Sequence, residues 1–260
     1  MNIIVCVKSV PITTEAELVI DRTGKAVILE DTPFDINEWD EYALEEAVRL
    51  KEKFGGEITV VTVSPRDVKE VILKCLAKGA DRAIKIVDRS IAEYDAYTIA
   101  RILHTAIKNM RYDLILCGAQ ASDDGYALVG VMLASLLRIP YVTMVKGLEL
   151  ANGYVITVRE LEEGFEEIVE VKLPALLTIQ TGINEPRYAS IMAMRRARQK
   201  EIISLDLKSM NLTESDLGNW IEIQEFLIPE RKKKCIMLCG DANEVTTKVV
   251  EILKQRGFLK

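Results

Sequence analysis

The sequence contains few of the residues on which several common kinds of active site depend. It has a single histidine, His104, and no serine-centred nucleophile elbow, which argues against a hydrolase triad. Its five cysteines are scattered and form no CxxC pair. We therefore expect buried, reduced thiols in a cytoplasmic protein, with neither a disulfide framework nor a bound metal.

Long apolar runs and an excess of positive charge are also missing. No apolar run approaches the roughly 20 residues of a membrane span. The first residues, MNIIVCVKSV, lack the basic start and cleavage site of a signal peptide and are typical of a strand. The net charge of −6 argues against nucleic acid as the main partner, because binding phosphates needs a basic face. The hydrophobic content of 49% is enough for one large core or two modest ones.

Apolar strands alternate with helical patterns through the first half of the chain. The first strand, Ile3 to Val7, is apolar throughout, which is typical of a strand buried on both faces. A hairpin follows, and a helix is predicted from Asn37, with Asn37 as its N-cap and Asp40 completing a capping box. Further core strands are predicted at 58–63, 83–87 and 114–117, and further helices from Ser64-Pro65, over 95–110 and from about Tyr126. This alternation predicts an α/β protein with a doubly covered, mostly parallel, Rossmann-like sheet.

The pattern changes after residue 145. Segments 154–158 and 168–172 flank Glu162-Glu163-Gly164 and predict an antiparallel hairpin added to the sheet. After a further strand, residues 203–234 are charged and mixed, and a strand-like run at 235–238 precedes an amphipathic helix at 244–256. We predict a nucleotide-binding domain at 1–200 and a C-terminal arm and helix at 201–260. That arm either packs on a partner or docks back on its own sheet.

The loop after strand 114–117 is the best candidate for a binding site. Gly118 to Gly125 is small and polar, and an apolar helix follows it. Backbone N–H groups at the start of such a helix can bind a phosphate, and open parallel sheets bind nucleotides at this kind of edge. The loop matches neither GxGxxG nor a Walker loop, so an ordinary turn capped by Ser122 or Asp123 is an equal alternative. Three strand ends should line one crevice: Lys8-Ser9, Ser64-Pro65 and Gly118 to Gly125.

The sequence also resembles a known protein family. Residues 158–200 contain Glu160 in the hairpin, then the motif Lys172-Leu173-Pro174-Ala175, the block Asn184-Glu185-Pro186-Arg187-Tyr188-Ala189 and a basic helix. This region is similar to the signature region of electron transfer flavoprotein beta subunits. Val5-Cys6-Val7-Lys8, the helix at 45–51 and Gly79-Ala80-Asp81-Arg82 resemble the same family. The resemblance extends over nearly the full chain and is least distinctive in the C-terminal part.

The resemblance implies a fold of the adenine nucleotide-binding type and a heterodimer. In that family an alpha subunit holds most of the redox FAD near the interface, and the beta subunit carries a buried adenine nucleotide. The nucleotide is AMP in simple members and a second FAD, which takes electrons from NADH, in electron-bifurcating members. Dehydrogenases and a quinone-linked or ferredoxin-linked acceptor are the implied redox partners. No catalytic side chain is implied, because the flavins carry the chemistry.

The family's contact residues fall on the three crevice edges and on the start of the helix at Asn37. Trp39 and Thr13 fall where members touch the flavin from the beta side, although Thr13 departs from the aromatic residue of some members. Ile191 matches an apolar anchor that docks dehydrogenases, and Glu160 matches an acid proposed to tether the mobile flavin domain. The predicted cofactor-binding residues are Cys6, Asn37, Glu38, Trp39, Asp40, Pro65, Gly118, Ala119, Gln120, Ala121, Ser122, Asp123, Asp124, Gly125, Tyr126, Ala127, Leu128 and Val129.

Val129 bears on the choice between AMP and FAD. Members that hold AMP tend to carry a threonine at this position, whose hydroxyl can bond the phosphate. Valine cannot donate a hydrogen bond and leaves room for a pyrophosphate bound by backbone N–H groups, so the position resembles the bifurcating pattern. The glycine of the loop is shifted relative to the family pattern, since Asp123-Asp124-Gly125 stands where members have Asp-Gly.

Two other classes of protein stay open at this point. One is an adenylating or ATP-hydrolysing enzyme on the same kind of sheet, for which Lys8-Ser9-Val10-Pro11 is a poor phosphate loop. The other is a regulatory module that binds AMP or ATP without redox chemistry. Such a module has no need of a long C-terminal arm without its own core.

Overall fold

The computed structural model describes residues 1–13, 18–29, 32–212, 217–229 and 235–259. It divides into two compact units, Met1–Gln224 and Glu225–Lys260. The strands are β1 (Asn2–Cys6), β2 (Ser9–Pro11), β3 (Val19–Ile20), β4 (Val27–Ile28), β5 (Phe34–Ile36), β6 (Glu57–Ser64), β7 (Arg82–Val87), β8 (Leu114–Gly118), β9 (Tyr141–Ala151), β10 (Tyr154–Glu160), β11 (Glu166–Lys172), β12 (Ala175–Ile179) and β13 (Ile202–Leu205). The helices are α1 (Glu38–Phe54), α2 (Lys69–Lys78), α3 (Ala96–Ile107), α4 (Val129–Leu137), α5 (Ile191–Ala197) and α6 (Ala242–Gln255).

A nine-stranded sheet organises the first unit. Its strand order is β11-β10-β9-β12-β8-β1-β6-β7-β13, and every pairing from β9 to β13 is parallel. Strands β9, β10 and β11 pair antiparallel, which confirms the predicted hairpin added to the sheet. The prediction of a mostly parallel α/β fold is therefore confirmed. Two short antiparallel pairs, β2 with β5 and β3 with β4, lie outside the main sheet.

Helices cover both faces of this sheet because its central strands are apolar on both sides. Ile3 and Val5 of β1 point into one core, which is closed by α1, α2 and α5. Ile4 and Cys6 alternate with them and point into the opposite core, which is closed by α3 and α4. The two-residue period of a strand thus explains why a continuous apolar run was needed in the sequence.

Three predicted local features differ from the structure. Helix α2 begins at Lys69, not at Ser64-Pro65, because Ser64 still pairs with Val87 as the last residue of β6. Helix α4 begins at Val129 rather than near Tyr126, because Ala127 has a φ of 54°, which interrupts a right-handed helix. In the second unit, residues 235–238 do not form the predicted strand.

The sheet extends beyond the expected domain boundary at residue 200. Strand β13, Ile202–Leu205, pairs with β7, and residues up to Gln224 belong to the first unit. The second unit contains α6, and none of its described residues is buried. Among the described residues, no helix is both long enough and apolar enough to cross a membrane.

Candidate functional site

The candidate site lies where the order of the parallel strands reverses direction. From β1 the chain passes through α1 to β6 on one side, whereas β8 lies on the other side of β1. The connections cover opposite faces of the sheet, with α1 on one and α3 on the other. This reversal lies at the carboxyl ends of β1 and β8, and open α/β sheets bind ligands in the crevice at such a point.

A buried carboxylate joins the two strand ends at this crevice. Asp40, 5% exposed, accepts a hydrogen bond from the Lys8 backbone N–H at 2.7 Å and another from the Gly118 backbone N–H at 2.8 Å. Lys8 follows β1 and Gly118 ends β8, so the first turn of α1 holds both strands. Burial raises the pKa of Asp40 to about 6, although these N–H donors oppose the shift.

Asn37 performs the same task for the loop after β8. Its side-chain amide, 1% exposed, donates to the Gln120 carbonyl at 2.8 Å and accepts from the Ser122 N–H at 3.1 Å. The predicted capping box of α1 is therefore wrong, since the Asn37 side chain makes no capping hydrogen bond. The amide bonds the backbone of the loop instead, because the polar atoms of a buried side chain need hydrogen-bond partners.

Lys8 forms ion pairs with the two acidic residues of the loop. Its ammonium lies 2.6 Å from Asp123 Oδ1 and 2.7 Å from Asp124 Oδ2. Although burial acts in the opposite direction, hydrogen bonds to these carboxylates raise the pKa of Lys8. The contacts place Lys8, which follows β1, against the loop that follows β8, and the ammonium offsets one of the two negative charges there.

The start of α4 presents backbone donors to the same loop. Among the described contacts, no side chain caps this helix, and the N–H groups of Val129, Gly130 and Val131 bond no other group. Gly130 lets α4 pack closely against β12, since a Cβ at that position would lie 2.7 Å from Thr178 Cγ2. An uncapped helix start with a small residue in its first turn has both the donors and the dipole to hold an anion.

Gly118 permits the tight junction between β8 and α1. A Cβ there would lie 2.5 Å from Asp40 Oδ1 and 2.6 Å from Trp39 Cβ. Trp39 is half-buried and its indole N–H donates to Gln180 Oε1 at 3.0 Å. The start of α1 therefore contacts the ends of β8, β1 and β12 together.

The structure brings most of the predicted cofactor-binding residues to one edge. Cys6 and Cys117 lie opposite each other at the ends of β1 and β8, and the hydrogen bond between the thiols, together with burial, raises the pKa of Cys117. Residues 120 and 122–128 of the loop are exposed, and Glu38 is exposed as well. Pro65, half-buried, follows β6, the neighbour of β1 on the other side.

Lys8 was predicted to line the crevice but not to bind the cofactor, and Gln180 was not predicted at all. Gln180 follows a parallel strand at the same edge of the sheet as Gly118, so the rule that carboxyl ends of parallel strands meet could have found it. Gly130 was predicted to allow a close approach to the backbone, but nothing in the sequence identifies Thr178 as the neighbour, because it is 48 residues away, near the end of β12.

Two residues predicted to contact partners lie away from this loop. Glu160 ends β10 and is exposed. Ile191, 82% exposed, begins α5 beside Tyr188, which is 99% exposed.

The segment before Ile191 is firmly attached to α1. Arg187 contacts Glu45 at 2.8 Å and Glu52 at 2.6 Å, and Asn184 donates to Glu46 at 3.0 Å. Burial would raise the pKa of Glu45, but the hydrogen bonds from Arg187 outweigh it and lower the pKa. Tyr188 and Ile191 therefore project from a fixed base.

The strand order and the helices on both faces define an α/β protein with a Rossmann-like, mostly parallel sheet. The family described as electron transfer flavoprotein domain matches residues 25–210. The chain is 37% identical over 262 residues to the electron transfer flavoprotein subunit beta of Methylophilus methylotrophus, covering 98% of each chain. It is also 37% identical, over the full length of both chains, to the corresponding subunit of Thermoanaerobacterium thermosaccharolyticum.

The chain therefore belongs to the electron transfer flavoprotein family and matches its beta subunits from end to end. It is similar as well to subunit CarD of the caffeyl-CoA reductase-Etf complex of Acetobacterium woodii, at 35% identity over the full length of both chains. The resemblance noted in the signature region of the sequence is thereby confirmed.

Proposed function

We propose that this chain binds an adenine nucleotide, FAD or AMP, at the crevice between β1 and β8. The observation that carries the proposal is the uncapped start of α4, whose N–H groups face a loop fixed by Asn37. These donors suit a phosphate or pyrophosphate, and Lys8 offsets one of the two negative charges of Asp123 and Asp124. The residues present therefore fit a nucleotide, and Gly118 and Gly130 let α1 and β12 pack closely against the strand and the helix that flank the loop.

The occupant we favour is a second FAD. Val129 offers no side-chain donor at the first position of α4, so a bound phosphate group would rely on backbone N–H groups alone. This arrangement suits a pyrophosphate, which can span several such donors. A bound flavin would supply hydride and single-electron chemistry, and oxidation of NADH with electron bifurcation would then be accessible.

The chain's own residues would bind and orient the cofactor and would not exchange protons with a substrate. Asn37 and Asp40 hold the loop and the two strand ends in place, and Trp39 would line the crevice from the start of α1. Because burial raises the pKa of Asp40 to about 6, its charge at neutral pH depends on the two N–H donors.

The partner we propose is an electron transfer flavoprotein alpha subunit, with which this chain would form a heterodimer and hold the redox FAD at the interface. The support is the apolar surface that the second unit leaves exposed, including Ile236, Met237 and Phe258. Those side chains have no buried core of their own, which is typical of a segment covered by another chain.

A second contact surface would receive the redox partners. Ile191 and Tyr188 are exposed on the base fixed by Arg187, so we propose that they dock dehydrogenases. Glu160 would contact the mobile flavin domain. Electrons would pass between these dehydrogenases and a quinone-linked or ferredoxin-linked acceptor, in the cytoplasm.

The test is a cofactor count on the co-purified alpha–beta complex. The complex is denatured, and the released FAD and AMP are quantified by chromatography. We expect two FAD and no AMP per heterodimer. One FAD with one AMP would contradict the bifurcating assignment and leave a simple electron carrier. AMP or ATP without flavin would contradict the redox function and favour a regulatory nucleotide-binding module.

A further inference from the structure

Gln180 occupies a central position between the crevice and the hairpin. It directly follows β12, and its backbone N–H donates to the Val145 carbonyl at 2.9 Å, which fixes the start of its side chain. Its side-chain Oε1 accepts the Trp39 indole N–H at 3.0 Å. Its Nε2 donates to Glu160 Oε2 at 3.4 Å. One amide thus bonds residues from α1 and from β10.

Trp39 is in turn locked to the crevice. It lies in the first turn of α1, between Asn37 and Asp40, which bond the loop and the strand ends. A Cβ placed on Gly118 would lie 2.6 Å from the Trp39 Cβ, so the base of the Trp39 side chain and the end of β8 are in close contact. A displacement of Trp39 therefore moves groups that hold the proposed nucleotide loop.

Glu160 forms the other end of this chain of contacts and is open to binding. It is exposed at the end of β10, and Glu162, Glu163 and Glu166 follow it in the hairpin. Lys146 pairs with Glu166 and Arg159 pairs with Glu167, but Glu160, Glu162 and Glu163 keep this surface acidic, so a group that binds there would carry positive charge. Such a group would compete with Gln180 for the Glu160 carboxylate.

We propose that Gln180 is a positioning residue that links cation binding at Glu160 to the position of Trp39 and hence to the nucleotide crevice. This inference rests on the proposed nucleotide site. Because linkage is reciprocal, a nucleotide bound at the crevice would also change the affinity of Glu160 for its cationic partner. The 3.4 Å contact is the longest in the chain of contacts, so it is the one a competitor would break first.

The test follows the Trp39 indole N–H in the nitrogen–proton NMR spectrum of the full chain, without cofactor. The chain has two tryptophans, so Trp220→Phe leaves one indole signal to observe. In that background, Gln180→Leu should shift the signal strongly, because the indole loses its acceptor. Glu160→Ala should give a smaller shift, whereas Glu160→Gln, which keeps an acceptor oxygen, should leave the signal in place.

A double-mutant cycle separates a link through Gln180 from general damage. In a chain that carries Gln180→Leu, Glu160→Ala should produce no additional shift. Gln180→Glu alone puts two carboxylates side by side and should shift the signal, whereas Gln180→Glu combined with Glu160→Gln restores one donor and one acceptor and should return the signal towards its original position. This pair of variants serves if the leucine variant fails to fold. The matched control is Glu170→Ala, an exposed glutamate on β11, which should move nothing.

The proposal is overturned if Glu160→Ala leaves the indole signal unmoved, or shifts it equally with and without Gln180. These signals need no ligand, so they are independent of the cofactor count. Titration with AMP, as the probe, should shift the same Trp39 indole signal. An AMP titration without any shift would contradict the nucleotide site, whereas the cycle would still report on the contact chain.

Discussion

The crevice is held together by contacts within the chain, whereas the second unit leaves its apolar side chains exposed. At the crevice, buried polar side chains such as Asn37 and Asp40 bond the loop and the strand ends, so the edge is preformed. In Glu225–Lys260 none of the described residues is buried, and even the apolar side chains of Ile236 and Met237 are 61% and 80% exposed. One region is complete within this chain and the other is not.

The difference indicates which region depends on a partner. A preformed edge costs little ordering when a ligand binds, so its mutations should act first on the stability of the chain itself. A unit without a core gains its stability from what it contacts, so its mutations should act first on association. Four predictions test this division, from the largest expected effect to the smallest.

Asp40→Ala should lower the free energy of unfolding by about 4 kcal/mol, because the buried N–H groups of Lys8 and Gly118 each lose their acceptor at about 1–3 kcal/mol. Urea unfolding of the full chain measures this. Glu38→Ala, at an exposed position in the same turn, should change stability by less than about 0.5 kcal/mol. Equal effects of the two variants would mean that Asp40 does not hold the strand ends.

The pH dependence of stability should carry the signature of Asp40. Burial raises its folded-state pKa from 3.8 to about 6, so the folded chain binds this proton more tightly than the unfolded chain does. The contribution of Asp40 is therefore present below pH 4 and is lost as the pH rises through 6. Relative to Asp40→Asn, the wild type should lose about 2 kcal/mol between pH 4 and pH 7. A constant difference across this range would contradict the buried assignment.

Gly118→Ala should destabilise the chain by about 2 kcal/mol, because the new methyl group must displace Asp40 and Trp39 from contacts of 2.5 and 2.6 Å. Thermal or urea unfolding of the variant gives the value. Gly218→Ala is the matched control, since nothing lies within 4 Å of a Cβ at that position. If both glycines tolerate alanine, the junction between β8 and α1 is looser than described here.

Substitutions in the second unit should barely affect the isolated chain. Ile236→Ser combined with Met237→Ser should change its unfolding free energy by less than about 0.5 kcal/mol. The same pair should weaken binding of the alpha subunit tenfold or more, which is about 1.4 kcal/mol in affinity. Glu251→Ser, at an exposed position of α6, should leave both quantities unchanged. If the double variant loses stability but still binds the alpha subunit normally, these side chains support the fold of the unit and not its association.

The sequence predicted the sheet well because its signal is local. Continuous apolar runs such as Ile3 to Val7 identify strands buried on both faces, and their alternation with helices sets the parallel order. The rule that carboxyl ends meet at one edge then located the crevice. The hairpin of β10 and β11 could be predicted as well, because its signal is also local: two strand-like segments lie on either side of a short turn sequence.

The details of the crevice depend on contacts distant in sequence and could not be predicted locally. Asn37 and Asp40 have the spacing of a helix cap, but they bond residues 78 to 85 positions away. Gln180 has no motif around it, and its role appears only when β12 is placed near α1. The start predicted for α2 at Ser64-Pro65 is wrong because strand pairing with β7 outweighs a favourable capping sequence.

Hydrogen exchange measured by mass spectrometry tests the division between the two regions most directly. The full chain is compared alone, with AMP or FAD, and in complex with the alpha subunit. We expect the nucleotide to protect residues 118–131 and to leave residues 235–259 unchanged, whereas the alpha subunit should protect 235–259. Protection of 235–259 by the nucleotide alone, or no protection of 118–131 by either nucleotide, would contradict the account.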